Sequence, residues 1–273
     1  MKKILLIAAV AMSALMLNAQ AWQIPVSVLG TYIESSNYDK LGELAGITSG
    51  SIEFNTANNT FTLTNVVWNR ASAKNGSTHR LFTVEDGTYT FKFVGSNLFD
   101  NAKQQRAVFF GGDNVQIVFL SESAADVTIK GGNMLSMTTD AEFYLKDMTL
   151  VGDSVLWGIG GWGESTPMAM LGLDNANLTI VAKYNPVSNV NDIDFKNVDI
   201  VSPYGTMFSR DKKGFVDLTN TLLTDYAELK IMTRTTAVDN IKAMPKAQKV
   251  IENGNIYLIR GVKRFNLLGA EVK

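Results

Sequence analysis

Cysteine is absent from this chain of 273 residues, and its absence excludes several kinds of chemistry at once. The chain can form no disulfide, no thiolate metal site and no cysteine nucleophile. It also lacks the cysteine that carries the N-terminal lipid of an exported lipoprotein. If the protein is held at a cell surface, something other than such a lipid holds it.

Histidine is nearly absent too, since His79 is the only one. It lies in a polar stretch, residues 75–80, whose composition is typical of a solvated loop. A Ser-His-Asp triad or a histidine-rich metal site would have to be built around this one side chain. No nucleophile elbow, phosphate-binding loop or zinc motif occurs either. We therefore assign no catalytic residue and expect a non-enzymatic protein.

The chain has little net charge, −1 at neutral pH, and so lacks the basic field that collects phosphates. We expect no nucleic-acid partner. Apolar residues make up 46% of the sequence and charged residues 19%, a balance that favours an ordered protein.

Long apolar runs are confined to the first residues. Lys2 and Lys3 precede an uncharged, mostly apolar segment at residues 4–17, and the small residues Ala19 and Ala21 follow it. This order is typical of a signal peptide, which we place at residues 1–21. The apolar run is too short to span a bilayer comfortably, and no later segment is long and apolar enough. We expect an exported protein that crosses the periplasm and is secreted or displayed at the cell surface.

A short phrase, Leu/Phe-x-Asn/Asp-x-x-Leu/Ile, recurs in the middle of the chain. Its copies are at residues 145–150, 173–178, 195–200 and 218–223. Asn175, Asn197 and Asn220 in the last three copies are spaced 22 and 23 residues apart, about one coil of a β-solenoid. A coil must bend sharply between its sheets, and Gly, Asn and Asp tolerate the positive φ of such a bend. We predict that these three asparagines occupy equivalent corners of successive coils.

The fold prediction follows from this repeat and from the many short β runs. We predict an all-β protein whose main domain, residues 51–236, is a right-handed parallel β-helix. The alternative is an antiparallel sandwich, which also combines short strands with Asn and Gly turns. Residues 22–50 are predicted to form an N-terminal cap region with a short helix around residues 38–45.

The sequence predicts a separate module at the end of the chain, after residue 236. Residues 237–248 look like a linker, and residues 249–273 form three short strands divided by the Asn253-Gly254 turn and by Gly261. A free three-stranded unit is marginal, so we expect it to dock on another surface.

This tail resembles the C-terminal modules of many exported bacterial proteins, some of which are type IX secretion sorting domains. The shared pattern is an apolar-Glu-Asn-Gly turn, an Ile-Tyr-Leu-Ile-Arg strand, then Phe-Asn-x-Leu-Gly and a terminal Glu-Val-Lys. The Pro-Asn-Pro opening of full-length sorting domains is missing. The resemblance implies contact with surface or secretion machinery through Ile256, Leu258, Arg260 and Phe265. Residues 51–66 form a strand, a polar turn and a Thr-Leu-Thr strand, and residues 92–97 contain the pattern apolar-x-Gly-x-Asn. In these features the middle of the chain resembles the β-helical repeat domains found beside such tails, which implies surface display and adhesive or glycan contact.

The segment from Trp157 to Gly163 places two tryptophans in a glycine-rich frame, which we interpret as an excursion between coils. Because the C–H face of a sugar packs well on indole, Trp157, Trp162 and the neighbouring Glu164 form our candidate ligand site. The alternative is that one or both tryptophans simply pack against the solenoid.

Asp192 and Asp194 are two positions apart on one predicted strand, so their side chains point to the same face, where they could share a cation such as Ca²⁺. This is the only cofactor the sequence suggests. With Asp199 and the basic residues near Arg210, the pair weakly resembles the site of a polysaccharide lyase acting on acidic glycans. Solvent-facing strand charges are the alternative account. A third class, a purely structural surface protein, is also compatible with the sequence.

Overall fold

A computed structural model describes residues 21–72, 80–102, 106–121, 125–161 and 166–234, together with four strands near the C-terminus. The fold is 62% strand and 4% helix, with parallel sheets stacked as a β-solenoid of about 4 turns. The predicted solenoid is therefore confirmed, while its handedness stays a prediction. The chain divides into two compact units, of which the first ends at Thr233 and the second begins at Arg234.

Among its described residues, the first unit has the short α-helix α1 (Leu41–Ala45) and a 3₁₀ turn at Arg70–Ser72. Its strands are β1 (Gln23–Val28), β2 (Thr31–Glu34), β3 (Ser49–Asn55), β4 (Thr60–Asn69), β5 (Phe82–Val84), β6 (Gly87–Val94), β7 (Ser96–Asp100), β8 (Ala107–Gly111), β9 (Val115–Ser121), β10 (Asp126–Lys130), β11 (Asn133–Met137), β12 (Glu142–Lys146), β13 (Thr149–Val155), β14 (Trp157–Gly161), β15 (Met168–Asp174), β16 (Asn177–Ala182), β17 (Val187–Ser188), β18 (Val190–Lys196), β19 (Val198–Ser202), β20 (Met207–Ser209), β21 (Gly214–Val216) and β22 (Glu228–Thr233).

These strands form two sheets. The nine-stranded sheet has the order β2-β1-β5-β8-β11-β14-β17-β21-β20, and the thirteen-stranded sheet has the order β18-β15-β12-β9-β6-β4-β7-β10-β13-β16-β22-β19, with β3 paired to β4. Strand β4 joins two faces of the larger sheet, because its first half pairs with β6 and its second half with β7. The bend between the halves is at Asn65, whose φ is 48°. Each full coil thus contributes a strand to three faces.

The two ends of the solenoid unit depart from parallel coiling. At the start, β1 pairs antiparallel with both β2 and β5, and β3 pairs antiparallel with β4. Alternating apolar residues at 51–54 and 60–68, joined by a polar turn, predict the β3–β4 hairpin. The predicted short helix is α1, whereas β1 and β2 were not predicted. At the other end, β20, β21 and β22 pair antiparallel with their neighbours. Regular coils therefore stop before residue 236, where the predicted solenoid ended.

The interior is filled by apolar side chains stacked from coil to coil. One column runs through Phe82, Phe109, Leu135, Ile159 and Val187, all buried on the inner face of the nine-stranded sheet. Phenylalanines from the other faces pack against it, and the Phe109 and Phe119 ring centroids are 4.8 Å apart. The residue that follows a core position, such as Phe110, Ser136 or Ser188, is only partly buried, as expected where side chains alternate along a strand.

The second unit contains an antiparallel sheet of four strands. They are β23 (Gln248–Glu252), β24 (Asn255–Arg260), β25 (Lys263–Phe265) and β26 (Glu271–Val272), paired in chain order. The sequence predicted three strands here, and the difference is the two-residue strand β26, which is too short to give an alternating pattern.

Candidate functional site

An open groove of about 630 Å³ lies on the outer face of the nine-stranded sheet. Its floor includes Ser136, Gly160 and Ser188, which occupy matching positions on β11, β14 and β17. These residues directly follow the core positions Leu135, Ile159 and Val187, so the alternation of the strands turns them outward. Neighbouring strands are about 4.8 Å apart, so the floor extends for roughly 10 Å along the solenoid axis.

The floor is low because its residues are small. A Cβ atom on Gly160 would lie 2.0 Å from the backbone oxygen of Ser188, a distance that no side chain can adopt. Glycine is therefore required for β17 to approach β14. This also corrects the sequence interpretation of residues 157–163, because Trp157–Gly161 is a solenoid strand and not an excursion between coils.

One end of the groove carries an exposed aromatic pair. The Trp157 and Tyr184 rings are stacked with centroids 4.8 Å apart and planes 28° apart. Trp157 is 41% exposed and Tyr184 is 40% exposed, so neither ring is a core residue. The Nζ atom of Lys183 lies 5.2 Å from the centre of the Tyr184 ring. We call Trp157 and Tyr184 the aromatic ledge. It offers a flat apolar surface with polar groups beside it.

The other end of the groove is formed by the turn that joins β20 and β21, residues 210–213. Lys213 lies next to the floor, because its carbonyl oxygen accepts a hydrogen bond at 3.0 Å from the amide of Val190, two residues after Ser188. Arg210 fixes the turn through Asp192, whose Oδ1 accepts hydrogen bonds from Arg210 Nη2 at 2.9 Å and from Nε at 3.2 Å. This contact with Arg210, with help from the Ile193 amide, lowers the pKa of Asp192.

The two predicted cation ligands are therefore already engaged with cationic side chains. Asp194 forms a separate ion pair with Lys196, at 2.9 Å between Oδ2 and Nζ. That contact is also the main reason that the pKa of Lys196 is raised. Among the described residues, no group of three or more His, Asp or Glu side chains is placed to hold a metal ion. In this structure Asp192 positions the Lys212–Lys213 turn beside the groove.

The predicted corner residues are only partly equivalent. Asn175 and Asn197 have φ values of 49° and 55° and follow the paired residues Asp174 and Lys196. Asp147 occupies the same corner one coil earlier, and Asn175 Nδ2 donates to Asp147 Oδ1 at 2.7 Å.

The prediction for Asn220 is wrong. Asn220 lies in a turn after β21, a strand that pairs antiparallel with β20, and its amide donates to the Asp217 carbonyl at 3.0 Å. The Asp217 carboxylate also accepts hydrogen bonds from the amides of Thr219 and Thr221. A positive φ of 61° thus arises at Asn220 from a local turn rather than from a coil corner.

Several other predicted residues lie outside the groove or outside the described residues. Trp162, Glu164 and His79 are among the residues that the structure does not describe, as is nearly all of the predicted signal peptide. In the second unit, the cross-strand pairs are Ile256 with Ile251, Leu258 with Phe265 and Arg260 with Lys263.

The sequence analysis did not identify Tyr184, Ser136, Ser188 or Lys212 as residues of a ligand site. A usable signal existed, because the corners Asp147 and Asn175 are 28 residues apart. The same offset applied to Gly160 leads to Ser188, its actual partner. Applied to Trp157, it leads to Asn185, which adjoins Tyr184.

Comparison of the chain with protein-family models, with curated proteins and with solved structures gives no match in any of the three. Within the described residues, no helix has the length and apolar character needed to cross a membrane.

Proposed function

We propose that this protein is an exported, non-enzymatic β-solenoid that binds glycans in the groove on its nine-stranded sheet. The observation that carries the proposal is the aromatic ledge, two exposed rings stacked at the end of an open cleft. Large aromatic side chains usually bury most of their surface, and exposed ones at a cleft are typical of ligand contacts.

The rest of the groove suits a sugar chain. The apolar C–H face of a pyranose ring can stack on Trp157, while its hydroxyls reach polar groups on the floor. Ser136 and Ser188 supply hydroxyls that make no side-chain hydrogen bond within the described part of the chain. A low floor of Ser and Gly leaves room for a ligand to lie along the solenoid axis.

Glycan-array binding by the full chain tests the proposal. We expect binding to a defined set of oligosaccharides that is lost, by tenfold or more, in Trp157→Ala and weakened in Tyr184→Ala. Stacking on an aromatic side chain contributes about 0.5–1.5 kcal/mol beyond the apolar area that it buries, so loss of both contributions corresponds to roughly tenfold or more in affinity.

Tyr204→Ala is the matched control, because Tyr204 is 93% exposed and is not part of the groove lining. It removes an exposed ring and should leave binding unchanged. Equal loss of binding in Tyr204→Ala, or glycan binding that survives Trp157→Ala, would contradict the proposal.

A further inference from the structure

The groove has an uneven distribution of charge. Lys212 and Lys213 line its turn end together with Asp211, and Lys183 lies beside the aromatic ledge. Among the described residues, none of these three lysines forms a salt bridge. The acids next to the turn are not available to them, because Asp192 binds Arg210 and Asp194 binds Lys196. Among the described residues that line the groove, two cationic side chains, Lys212 and Lys213, therefore accompany a single anionic one, Asp211.

The cationic turn is held in place. Arg210 is bound to Asp192, the Lys213 amide donates to the Arg210 carbonyl, and the next residue, Gly214, pairs with Ser188 on the groove floor. Lys212 and Lys213 therefore project from a fixed position and not from a free loop. A positioned ammonium group loses less entropy when it binds an anion than one on a flexible segment does.

We infer that the groove binds an anionic saccharide, whose carboxylate or sulfate oxygens contact Lys212 and Lys213 while one of its rings stacks on Trp157. This inference rests on the proposed function. Uronate and sulfate ester groups share the required chemistry, anionic oxygens carried on a sugar ring. Charge-assisted hydrogen bonds to such oxygens are about twice as strong as neutral ones.

Matched pairs of probes separate charge from sugar shape. Oligogalacturonate is compared with its methyl ester, which keeps the ring and linkage but removes the charge, and dextran sulfate is compared with dextran. Titration of the full chain should show at least tenfold tighter binding to one charged member than to its neutral partner. The preferred pair identifies carboxylate or sulfate as the source of the charge. Raising the salt concentration should weaken that binding, since screening acts on partly exposed charges.

The double variant Lys212→Gln/Lys213→Gln should lower affinity for the charged probe by about tenfold or more and change binding of the neutral probe little. Asp211→Asn should raise affinity for the charged probe. The control is Lys40→Gln/Lys146→Gln, which removes two exposed lysines outside the groove lining and should have no effect.

Each other result has a distinct meaning. Equal binding of charged and neutral members, still lost in Trp157→Ala, overturns this inference and leaves the proposed function standing. If the control variant Lys40→Gln/Lys146→Gln weakens binding of the charged probes as much as the groove variant does, the attraction is general and the inference is overturned. Binding of the charged probes that survives Trp157→Ala has the same meaning. Absence of binding to every saccharide on the array and to all four probes overturns both.

Discussion

The corner residues show how backbone conformation selects side chains in this solenoid. Asp147, Asn175 and Asn197 adopt positive φ at the same point of successive coils, where L-residues other than Asn and Asp are strained. Gly95 serves an equivalent bend for a second reason. A Cβ atom there would lie 2.1 Å from Asn65 Oδ1, which itself accepts a hydrogen bond from the Ser96 amide. Conformation and contact between coils thus act together at these positions.

We expect valine at a corner to lower the free energy of unfolding, by about 1–3 kcal/mol, because a β-branched residue is strained at positive φ. Asn175→Val should be more destabilising than Asn197→Val by about 1 kcal/mol, since only Asn175 donates to the preceding corner, Asp147. Denaturant unfolding followed by tryptophan fluorescence measures both variants, because all four tryptophans precede Arg234.

Asn175→Gly is the matched control for this comparison. It keeps the positive φ and removes only the side-chain hydrogen bond, so it should cost less than Asn175→Val. A stability of Asn197→Val within about 0.5 kcal/mol of the parent protein would contradict the account of corner strain.

At this scale the sequence is informative wherever the backbone restricts the residue type. The corners could be predicted because few residues tolerate positive φ. The prediction for Asn220 failed for the same reason. The turn around Asp217 also requires a positive φ, and it places Asn220 23 residues after Asn197, which matches the coil spacing. Residue type alone does not distinguish a coil corner from a local turn.

Among the elements, β14 shows where a strand signal fails. Because Gly158, Gly160 and Gly161 carry no side chain, Ile159 is the one buried apolar side chain of Trp157–Gly161, and the strand shows no apolar alternation. The sequence of such a glycine-rich strand therefore predicts a loop, although the close approach of β17 to β14 requires glycine at position 160. The groove was missed because its floor lies on this strand, although the 28-residue spacing of the corners Asp147 and Asn175 would have paired Gly160 with Ser188.

The Asp192–Arg210 contact joins the turn between β20 and β21 to β18, so we expect Asp192→Asn to loosen the turn. We expect faster amide hydrogen exchange at Lys213 and weaker binding in the groove. Asp194→Asn is the control, since it breaks only the ion pair with Lys196 and should leave the turn unchanged. Exchange at Lys213 that responds equally to both variants would contradict this role for Asp192.

The same contact gives the turn a pH dependence with a definite sign. Because Arg210 lowers the pKa of Asp192 below its ordinary value of 3.8, the contact stabilises the folded form fully above that value. The stabilisation is lost as the pH falls below 3.8, through the lowered pKa of the folded protein. Exchange at Lys213 should therefore be insensitive to Asp192→Asn only at strongly acidic pH.

On the scale of the whole molecule, the solenoid unit has a continuous hydrophobic core of its own, as an independently folding domain does. Apolar columns such as Phe82, Phe109 and Leu135 run continuously through its coils. The sequence predicted these coils because each carries its own strand and corner signals. It did not predict the antiparallel pairing of β1 and β22 at the two ends, because these strands pair with residues far along the chain and follow no repeat.

Deletion of residues 246–273 tests whether the tail serves export and surface attachment, as its resemblance to sorting modules implies. Because each repeat of a solenoid is stabilised by its neighbours, we expect the first unit to keep its stability without β23–β26. The midpoint of unfolding followed by tryptophan fluorescence should therefore stay the same, while the protein accumulates in the periplasm. Leu258→Asp in the full chain is a milder variant, since Leu258 pairs with Phe265 across β24 and β25, and it should also impair export. Normal localisation of the deleted protein together with a large fall in melting temperature would show instead that the tail stabilises the solenoid.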